Sequence, residues 1–461
     1  MVLKTQKKLK KMLSVVLAVM LLATTLTVVP ISASAATQTE TIGALSGTTG
    51  DCTWRIEDDT LIISGNGAME DYNWSSSQFA PWKDIEFSNV IIDDGVTNIG
   101  EYAFYGCYSL NSVTIGISVI SIDDHAFCSC NNLQSVTIGN SVESIGDYAF
   151  CSCNSLQSVT IGNSVKSIGD YAFESCNNLK FVTFPNSVMS IGDSAFENCQ
   201  ELTSVTIPNS VMSIGDCTFA GCHGLLEIKV DSNNTTYSSI DGNLYNKDAT
   251  TLIQYAVGKT DESFNIPDTV KSIGGMAFYD CKSLISVTIP DSVTSIGDSA
   301  FEYCSSLTSV TIPYLVTSID DFAFAHCSGL TSVKIPDSVE NIGYAAFWDC
   351  TSLKFVAIPN SVKSIGDMAF GYSCKGEKID GFAMTASKGS DTYAKEHGII
   401  LLGDLDGDKV MTINDATMIM FYLASLCDLN EEQIKAADVD NNGKVSIMDV
   451  TKIQFILAGL L

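Results

Sequence analysis

Oxygen-bearing side chains recur at fixed spacing in two short segments near the end of the sequence, beginning at Asp404 and Asp438. Calcium takes six to eight oxygen ligands, and a twelve-residue loop supplies them from positions 1, 3, 5, 7, 9 and 12, with a backbone carbonyl at position 7. The first segment offers Asp404, Asp406, Asp408, the Val410 carbonyl, Thr412 and Asp415. The second offers Asp438, Asp440, Asn442, the Lys444 carbonyl, Ser446 and Asp449. The spacing therefore predicts two bound calcium ions.

The two segments belong to a duplication in which DLDGDKVMTINDATMIMFYLASL (404–426) aligns with DVDNNGKVSIMDVTKIQFILAGL (438–460). This repetition argues against two chance acidic loops. Each copy continues from its loop into an apolar helical pattern, and we expect no helix before either loop. Position 6 of the first loop is Lys409, where a sharp turn favours glycine and another residue costs about 1–2 kcal/mol. We therefore expect the first site to bind calcium more weakly than the second.

Each copy also places apolar residues on two different faces of its helix, which turns by about 100° per residue. The predicted core stripes are Ala416, Ile419, Leu423 and Leu426 in the first copy and Val450, Ile453, Leu457 and Leu460 in the second. The second faces carry Ile413, Thr417, Phe421 and Ala424, and Ile447, Thr451, Phe455 and Ala458. An apolar face away from the core suggests a partner surface. The alternative is that Phe421 and Phe455 pack inside the module or against the rest of the chain.

The preceding part of the chain, which must present this module, is dominated by a repeat of 23 residues. The repeated phenylalanines are Phe104, Phe127, Phe150, Phe173, Phe196, Phe219, Phe278, Phe301, Phe324, Phe347 and Phe370. One unit reads LQSVTIGNSVESIGDYAFCSCNN (133–155), in which SVTI is a short strand with Val136 and Ile138 on one side. Asp147 is expected to cap a short helical turn that carries Ala149 and Phe150.

A unit of this length cannot bury its own apolar face, whereas stacked neighbours can. We therefore expect a parallel solenoid with strands about 4.8 Å apart, so that some twelve turns would span on the order of 55–60 Å. Units such as LTSVTIPNSVMSIGDCTFAGC (202–222) resemble the bacterial surface-antigen type of leucine-rich repeat, called BspA-like. The predicted fold class is a mainly β/αβ solenoid of 23-residue leucine-rich repeats plus a small all-α calcium-binding module. By that resemblance, the repeats are interaction scaffolds rather than enzymes.

The composition divides the chain into five segments. Residues 1–35 are expected to be a signal peptide, because lysines precede an apolar stretch that ends at the small-residue site Ala33-Ser34-Ala35. An uncleaved anchor helix is the alternative, and no later segment is apolar enough to span a bilayer. The other segments are a β-rich N-terminal capping region (36–89), the solenoid (90–372, interrupted at 228–260), a C-terminal cap and linker (373–401) and the calcium module (402–461). The mature protein is expected to be secreted and extracellular.

The C-terminal duplication resembles a type I dockerin, because a calcium loop with one exiting helix occurs twice within about sixty residues and the G-D-x-D-G-D opening is present. The resemblance implies calcium-dependent docking into a cohesin on a scaffoldin or cell-surface protein. The residues that it implies for cohesin binding are Ile413, Asn414, Thr417, Phe421, Ile447, Met448, Thr451 and Phe455. Because the two faces are alike, either is expected to bind, with the module rotated by about 180°.

Ten cysteines occupy one repeat position, three residues after the phenylalanine. They are Cys107, Cys130, Cys153, Cys176, Cys199, Cys222, Cys281, Cys304, Cys327 and Cys350. Equivalent residues on successive turns have parallel Cβ vectors about 4.8 Å apart, whereas a disulfide needs converging Cβ atoms near about 3.8 Å. We therefore expect a stack of buried thiols, with disulfides or a metal site as alternatives.

The sequence contains no H-E-x-x-H or G-x-S-x-G motif and only four histidines. The aspartates equivalent to Asp147 could suggest a carboxylate pair, but a residue copied in successive turns favours a structural role. The strand face that points outward is more informative, since Phe181 and Phe355 replace its usual serine. That face is either solvated sheet surface or a ligand-binding surface.

The net charge excludes some partners. Arg55 is the only arginine, and loss of five lysines with the signal peptide lowers the formal net charge from −28 to −33. Nucleic acids and anionic membranes are therefore poor partners. Taken with the two family resemblances, which imply the cellulosome-type context, these observations favour a non-catalytic, secreted component of a cellulosome-type complex, whose solenoid binds a protein, a cell surface or a glycan. The alternatives are an enzyme or accessory protein of polysaccharide degradation, and a free adhesin stabilised by calcium.

Overall fold

The computed structural model describes residues 45–385, 387–408, 410–440 and 442–458. The expected signal peptide, Lys409 and Leu460 lie outside the described residues. No helix in the described part of the chain has the length and apolar character needed to cross a membrane.

An antiparallel β-meander begins the described chain. Its strands are β1 (Ser46–Thr49), β2 (Cys52–Glu57) and β3 (Thr60–Gly65). The short strand β4 (Gly67–Ala68) follows and pairs in parallel with a strand of the first repeat. Trp82 lies fully buried beneath them and donates its indole N–H to the Ala103 carbonyl at 2.8 Å. The last long strand, β3, then pairs in parallel with the first strand of the repeats. The meander therefore covers the apolar end of the solenoid with residues of its own.

Each repeat contributes two short strands. Before the interruption they are β5 (Asn89–Ile92), β6 (Val96–Ile99), β7 (Ser112–Ile115), β8 (Ser121–Ile122), β9 (Ser135–Thr137), β10 (Ser144–Ile145), β11 (Ser158–Thr160), β12 (Ser167–Ile168), β13 (Phe181–Thr183), β14 (Ser190–Ile191), β15 (Ser204–Ile207), β16 (Ser213–Ile214) and β17 (Glu227–Val230). The odd-numbered repeat strands extend β1, β2 and β3 into a ten-stranded sheet, and the even-numbered repeat strands join β4 in a second sheet of seven. Equivalent residues are paired in parallel, as Val136 with Val159 and Val159 with Val182. The expected parallel solenoid is confirmed, with about twelve turns.

The interruption contains three antiparallel strands, β18 (Tyr237–Ile240), β19 (Asn243–Asn246) and β20 (Thr251–Gln254). The repeats then resume. Their strands are β21 (Ser263–Asn265), β22 (Ser272–Ile273), β23 (Ser286–Thr288), β24 (Ser295–Ile296), β25 (Ser309–Thr311), β26 (Ser318–Ile319), β27 (Ser332–Lys334), β28 (Asn341–Ile342), β29 (Phe355–Val356) and β30 (Ser364–Ile365). The core accordingly consists of two apolar clusters, one on each side of the interruption, and residues 237–256 contribute to both.

Identical side chains stack from turn to turn inside the solenoid. The ring centroids of Phe127, Phe150 and Phe173 are spaced by 5.2 Å, and neighbouring planes differ by 4–5°. Cys153 lies beside them, fully buried, and its thiol donates to the Phe127 carbonyl at 3.2 Å. The ten cysteines at this repeat position are free thiols in the structure, nine of them buried and Cys107 half-buried, and their reduced state stays a prediction.

The recurring aspartates connect successive turns. The Asp147 amide donates to the Asp124 carboxylate at 2.7 Å, and the Asp170 amide donates to the Asp147 carboxylate at 2.8 Å. The expectation that Asp147 caps a helical turn is wrong, because residues 147–152 form turns in which every second amide, from Tyr148 to Ser152, donates to the next repeat. Tyr148, which follows Asp147, has a φ of +56°, a conformation that is costly for residues other than glycine. Its amide donates to the Asp170 carbonyl at 2.8 Å, a bond between turns that offsets this cost.

The segment expected to be a cap and linker folds as a last turn of the solenoid. It contains β31 (Ala383–Thr385), α1 (Lys388–His397) and β32 (Ile400–Leu402). The two strands extend the sheet begun by β29 in parallel register. Phe382, Met384 and Tyr393 join the second apolar cluster, so this segment is held by the same core as the repeats.

The C-terminal module contains α2 (Ile413–Leu423), α3 (Glu431–Ala437) and α4 (Ile447–Leu457). The expectation that no helix precedes either loop is wrong for the second loop, because α3 ends immediately before Asp438. Asn430 and Gln433 form a capping box at the start of α3, and Glu431 and Glu432 favour its positive end. Helix α3 has only seven residues, too few to show a helical period in the sequence.

Candidate calcium loops and docking faces

The first loop brings three carboxylates together. Asp404, Asp406 and Asp408 each offer one oxygen, and these atoms lie within 4.8 Å of one another. Asp404 accepts from the Gly407 amide at 2.8 Å, Asp406 from the Asp408 amide at 3.1 Å, and Asp408 from the Val410 amide at 2.9 Å. The backbone thus folds around the carboxylates and holds their oxygens toward one point.

Position 12 of the first loop is oriented from the start of α2. Asp415 is fully buried and accepts from the Leu405 amide at 2.8 Å and from the Thr412 amide at 2.7 Å. Thr412 is the N-cap of α2, and its hydroxyl lies 3.1 Å from the same carboxylate. A buried carboxylate therefore joins the loop to the helix that follows it.

The second loop repeats this arrangement with a different trio. Asp438, Asp440 and Asp449 offer oxygens within 4.8 Å of one another. Asp438 accepts from the Asn442 amide at 3.0 Å and the Gly443 amide at 2.7 Å, while Asn442 accepts from the Lys444 amide at 2.9 Å.

Position 12 of the second loop is also oriented from a helix start. Ser446 caps α4, and its amide and hydroxyl donate to the buried Asp449 at 2.7 and 3.2 Å. In both loops the oxygen set is the one that a hard cation such as calcium prefers, so the residues present fit that ion.

The two loops differ in where the backbone turns. Gly407, at position 4, has a φ of +80°, whereas the second loop uses Gly443, at position 6, with a φ of +83°. The first loop therefore places a left-handed glycine two positions earlier than the second. The first loop has Lys409 at position 6, where the second loop has Gly443. That the first site binds calcium more weakly stays a prediction.

The core of the module is shallower than the sequence pattern predicts. Ala416 and Ile419 on α2 pack with Val450 and Ile453 on α4, and Leu405, Met411, Leu429, Ala437 and Val439 complete the cluster. The assignment of Leu423, Leu426 and Leu457 to the core is wrong, because all three side chains are exposed. Helix α2 ends at Leu423, and Ser425 then adopts a φ of +57°, so Leu426 leaves the helical face. The buried apolar stripe on each helix consequently spans only about one turn.

The second apolar faces lie at the surface of the module. Phe421 is 49% exposed and Phe455 is 46% exposed, so neither ring is buried inside the module. Ile413, Ile447 and Met448 are also exposed, at the starts of the same helices. Asn414 is exposed as well, whereas Thr417 and Thr451 are half-buried and donate their hydroxyls to the Ile413 and Ile447 carbonyls at 2.8 and 3.0 Å. Each copy thus presents an apolar surface of similar make-up.

The module also packs against the outer strand face of the last solenoid turns, a contact that the sequence patterns did not predict. The Lys452 ammonium on α4 lies 4.3 Å from the centroid of the Phe355 ring. Two clefts, of about 380 and about 340 Å³, flank this contact and are lined from both sides. Burial lowers the pKa of Lys452, and the nearby Asp440, Asp449 and Asp438 oppose that shift. A signal did exist in the sequence, because Phe355 and Ala357 depart from the serine and threonine usual at their positions.

Comparisons with known protein families match the solenoid and the C-terminal module separately. The chain matches the BspA type leucine rich repeat region over residues 79–202, 143–253 and 254–376, with six copies, and the Dockerin type I domain over residues 402–456. The chain therefore belongs to the BspA-type leucine-rich repeat proteins and carries a C-terminal type I dockerin domain.

Solved structures share the solenoid. A leucine rich cell surface protein from Faecalibacterium prausnitzii is 32% identical, with a TM-score of 0.62, and the match covers 76% of this chain and 97% of that protein. A leucine-rich repeat protein from Eubacterium ventriosum is 30% identical, with a TM-score of 0.51, over 70% of this chain and 94% of that protein.

One curated relative matches a short segment. A multidomain esterase from Ruminococcus flavefaciens is 38% identical over 61 residues, which are 13% of this chain and 8% of the esterase. The chain thus spans less than a tenth of that relative.

Proposed function

We propose that this protein is a secreted, non-catalytic component of a cellulosome-type complex, in which calcium-dependent binding of the dockerin to a cohesin tethers a ligand-binding solenoid. The observation that carries the proposal is the pair of acidic loops, each leading into a helix with an exposed apolar face. Each of two calcium ions is proposed to take six ligands, from positions 1, 3, 5, 7, 9 and 12 of its loop. These are Asp404, Asp406, Asp408, Val410, Thr412 and Asp415 in the first loop, and Asp438, Asp440, Asn442, Lys444, Ser446 and Asp449 in the second. Calcium supplies positive charge that holds the carboxylates together, and the helices then present the docking faces.

Binding of the full chain to a panel of purified type I cohesin domains, with calcium and with chelator, tests the tethering. We expect binding to at least one cohesin in calcium and none in chelator. The quadruple variant Ile413→Asp, Phe421→Ala, Ile447→Asp and Phe455→Ala should abolish binding while the helical circular dichroism is kept. Full affinity in that variant would place the cohesin contact elsewhere.

The solenoid is proposed to bind a protein, cell surface or glycan through its outer strand face. Serine and threonine side chains are exposed along that face, for example at both ends of β11, and Phe181 stands among them with 61% of its surface exposed. A Phe181→Ser chain, which restores the usual residue, is the matched control when wild type is used to capture ligands from cell-wall preparations. Equal capture by both chains would remove Phe181 from the binding surface.

The proposed absence of catalysis has its own test. Hydrolysis of plant polysaccharides and acetyl esters by the purified full chain, at enzyme concentrations that detect slow turnover, should not exceed the buffer control. Hydrolysis that co-purifies with the chain through several columns would favour the enzyme alternative.

A further inference from the structure

The outer strand face is covered at one end of the solenoid. Along most repeats the strand residues alternate between exposed and buried, as in β11, where Ser158 and Thr160 are exposed on either side of Val159. The last complete turn departs from this alternation, because Ala383, Met384 and Thr385 of β31 are all buried. Ala383 pairs with Phe355 in the sheet, so both occupy the outer face. Something therefore lies over that face at β29 and β31.

The covering element is the dockerin, through α4 and its loop. One cleft is lined by Lys354, Phe355 and Asp380 of the solenoid and by Asp440 and Lys452 of the dockerin. Charges of both signs occur on each side of this cleft, which suits a specific contact. The other cleft is lined by Ile358 and Thr385 from the solenoid and by Met411, Ile456 and Leu457 from the dockerin. The contact thus has an apolar part and a charged part.

An internal comparison shows what the covering contributes. The tetrapeptide Leu-Lys-Phe-Val occurs at 179–182 and again at 353–356, at equivalent repeat positions. In the first occurrence Phe181 is exposed, whereas in the second Phe355 is only partly exposed and lies beneath the Lys452 ammonium. A cation over the face of an aromatic ring is attracted by the ring, and more strongly where water is excluded from both. The same tetrapeptide therefore has an exposed phenylalanine in one repeat and a phenylalanine in contact with α4 in the other.

This contact breaks the equivalence of the two dockerin copies. Lys452 and Ile456 are separated by about 40° around α4, and Phe455 lies about 60° from Lys452 on the other side. The equivalent residues of α2 are Met418 and Tyr422, which pack partly against the core of the module, as Ile456 also does. The copies therefore differ at Lys452, whose equivalent is the apolar Met418. A typical protein partner covers about 800 Å² of the surface that it binds. Such a footprint extends beyond a single helix, which is only about 10–12 Å across. A partner centred on Phe455 would therefore meet the solenoid beside α4.

We infer that the last solenoid turn is an intramolecular docking surface for α4, and that it makes α2, with Ile413 and Phe421, the principal cohesin-binding face of the full chain. The second part of this inference rests on the proposed function. It changes the expectation drawn from the sequence, in which either face serves equally.

Hydrogen–deuterium exchange of the calcium-loaded full chain tests the docking without any cohesin. Phe355→Ser, alone and combined with Lys452→Ala, should increase exchange in peptides that contain 383–385 and 447–457. Phe181→Ser is the matched control and should leave both peptides unchanged. Unchanged exchange in the double variant would overturn the docking surface.

Cohesin binding tests the inequality of the faces. In the otherwise wild-type chain, Ile413→Asp with Phe421→Ala should weaken binding by about tenfold or more, whereas Ile447→Asp with Phe455→Ala should weaken it by about threefold or less. In the chain with Phe355→Ser and Lys452→Ala, the two pairs should have effects within about threefold of each other.

The possible results separate the two claims. Equal losses in the wild-type background would overturn the inequality, even if exchange supports the docking. Failure of every cohesin to bind would refute the proposed tethering and the inequality with it, while the exchange result would still decide whether α4 docks.

Discussion

Equivalent side chains make the same contacts in successive repeats of this solenoid. Cys153 and its equivalents fill a small apolar space beside the phenylalanine stack and donate weakly to a carbonyl of the previous turn. Asp147 and its equivalents satisfy an amide of the next turn. One residue type at one repeat position therefore carries a structural role along the whole array, which explains why cysteine is abundant in a chain expected to be secreted.

Alkylation should separate the buried thiols from the exposed one. Burial raises the pKa of Cys222 to about 12, so the thiol stays protonated near neutral pH and lacks the reactive thiolate form. Cys374 is exposed. We expect iodoacetamide at pH 8 to label Cys374 in the native chain and not Cys222, and to label Cys130, Cys153, Cys176 and Cys199 after denaturation without reductant. Mass spectrometry that finds these four joined in pairs would contradict a reduced stack.

The two calcium loops should respond unequally to the loss of their first ligand. Asp438→Ala and Asp404→Ala remove equivalent carboxylates from position 1. If the first site is weak because of Lys409, Asp438→Ala should lower the calcium affinity of the full chain more than Asp404→Ala does. Isothermal titration with calcium measures both, and Lys409→Gly should strengthen the first site. A larger loss with Asp404→Ala would show that the first loop is the stronger site.

The elements of the solenoid are too short to be stable alone, since most strands have two to four residues. Their stability comes from burying the same apolar positions against the turns on either side. The phenylalanine stack is the largest part of that core, with Phe150 in contact with rings on both sides. Loss of one ring should therefore remove packing contacts from both neighbouring turns.

Truncation of a stacked ring should be much more destabilising than truncation of an exposed one. Phe150→Ala leaves a cavity in the core and should lower the free energy of unfolding by about 3–5 kcal/mol. Phe181→Ala removes an exposed ring from a nearby repeat and should change the free energy of unfolding by less than about 0.5 kcal/mol. Urea unfolding followed by tryptophan fluorescence measures both variants. Similar effects of the two substitutions would contradict the stacked core.

How far the sequence predicts these elements depends on the range of the interactions. The 23-residue period and the β-branched SVTI stretch predict the first strand of each unit, because both are local signals. The second strand, such as Ser144–Ile145, is only two residues long and has no readable alternation. Helix α3 was missed for the same reason. The docking of α4 on Phe355 joins residues almost a hundred positions apart. The departure of Phe355 from the repeat pattern marks one side of that contact, but nothing in the sequence identifies α4 as its partner.

At the scale of the whole molecule, three apolar cores follow one another along the chain. Two belong to the solenoid and the third to the dockerin, whose cluster contains no solenoid residue among those described. Among the described residues, the acidic groups that could hold a metal ion lie in the two dockerin loops, which place carboxylates of like charge side by side. The two parts should therefore differ in their dependence on calcium.

Removal of calcium should unfold the dockerin and leave the solenoid folded. Without the ion, the carboxylates of each loop repel one another, so the free energy of metal binding is also free energy of folding. Three of the four described helices, α2, α3 and α4, lie in the dockerin. Circular dichroism of the full chain in chelator should lose most of its helical signal and keep its strand signal. Retention of the helical signal would show that the module folds without calcium.

The interruption between the two halves of the solenoid has a mechanical consequence. The hydrogen bonds between turns run along the solenoid axis. Both sheets of the first half end at the interruption, with β16 and β17, and the two sheets that follow begin with β18 and β21. If the protein is anchored by its dockerin and holds a ligand near its other end, tension acts along the same axis and loads these bonds one turn after another. The chain should then yield first at the start of the interruption, beside β17, because neither sheet continues across that point. Extension of the chain there would lengthen the tether before either half of the array, or the anchor, gives way.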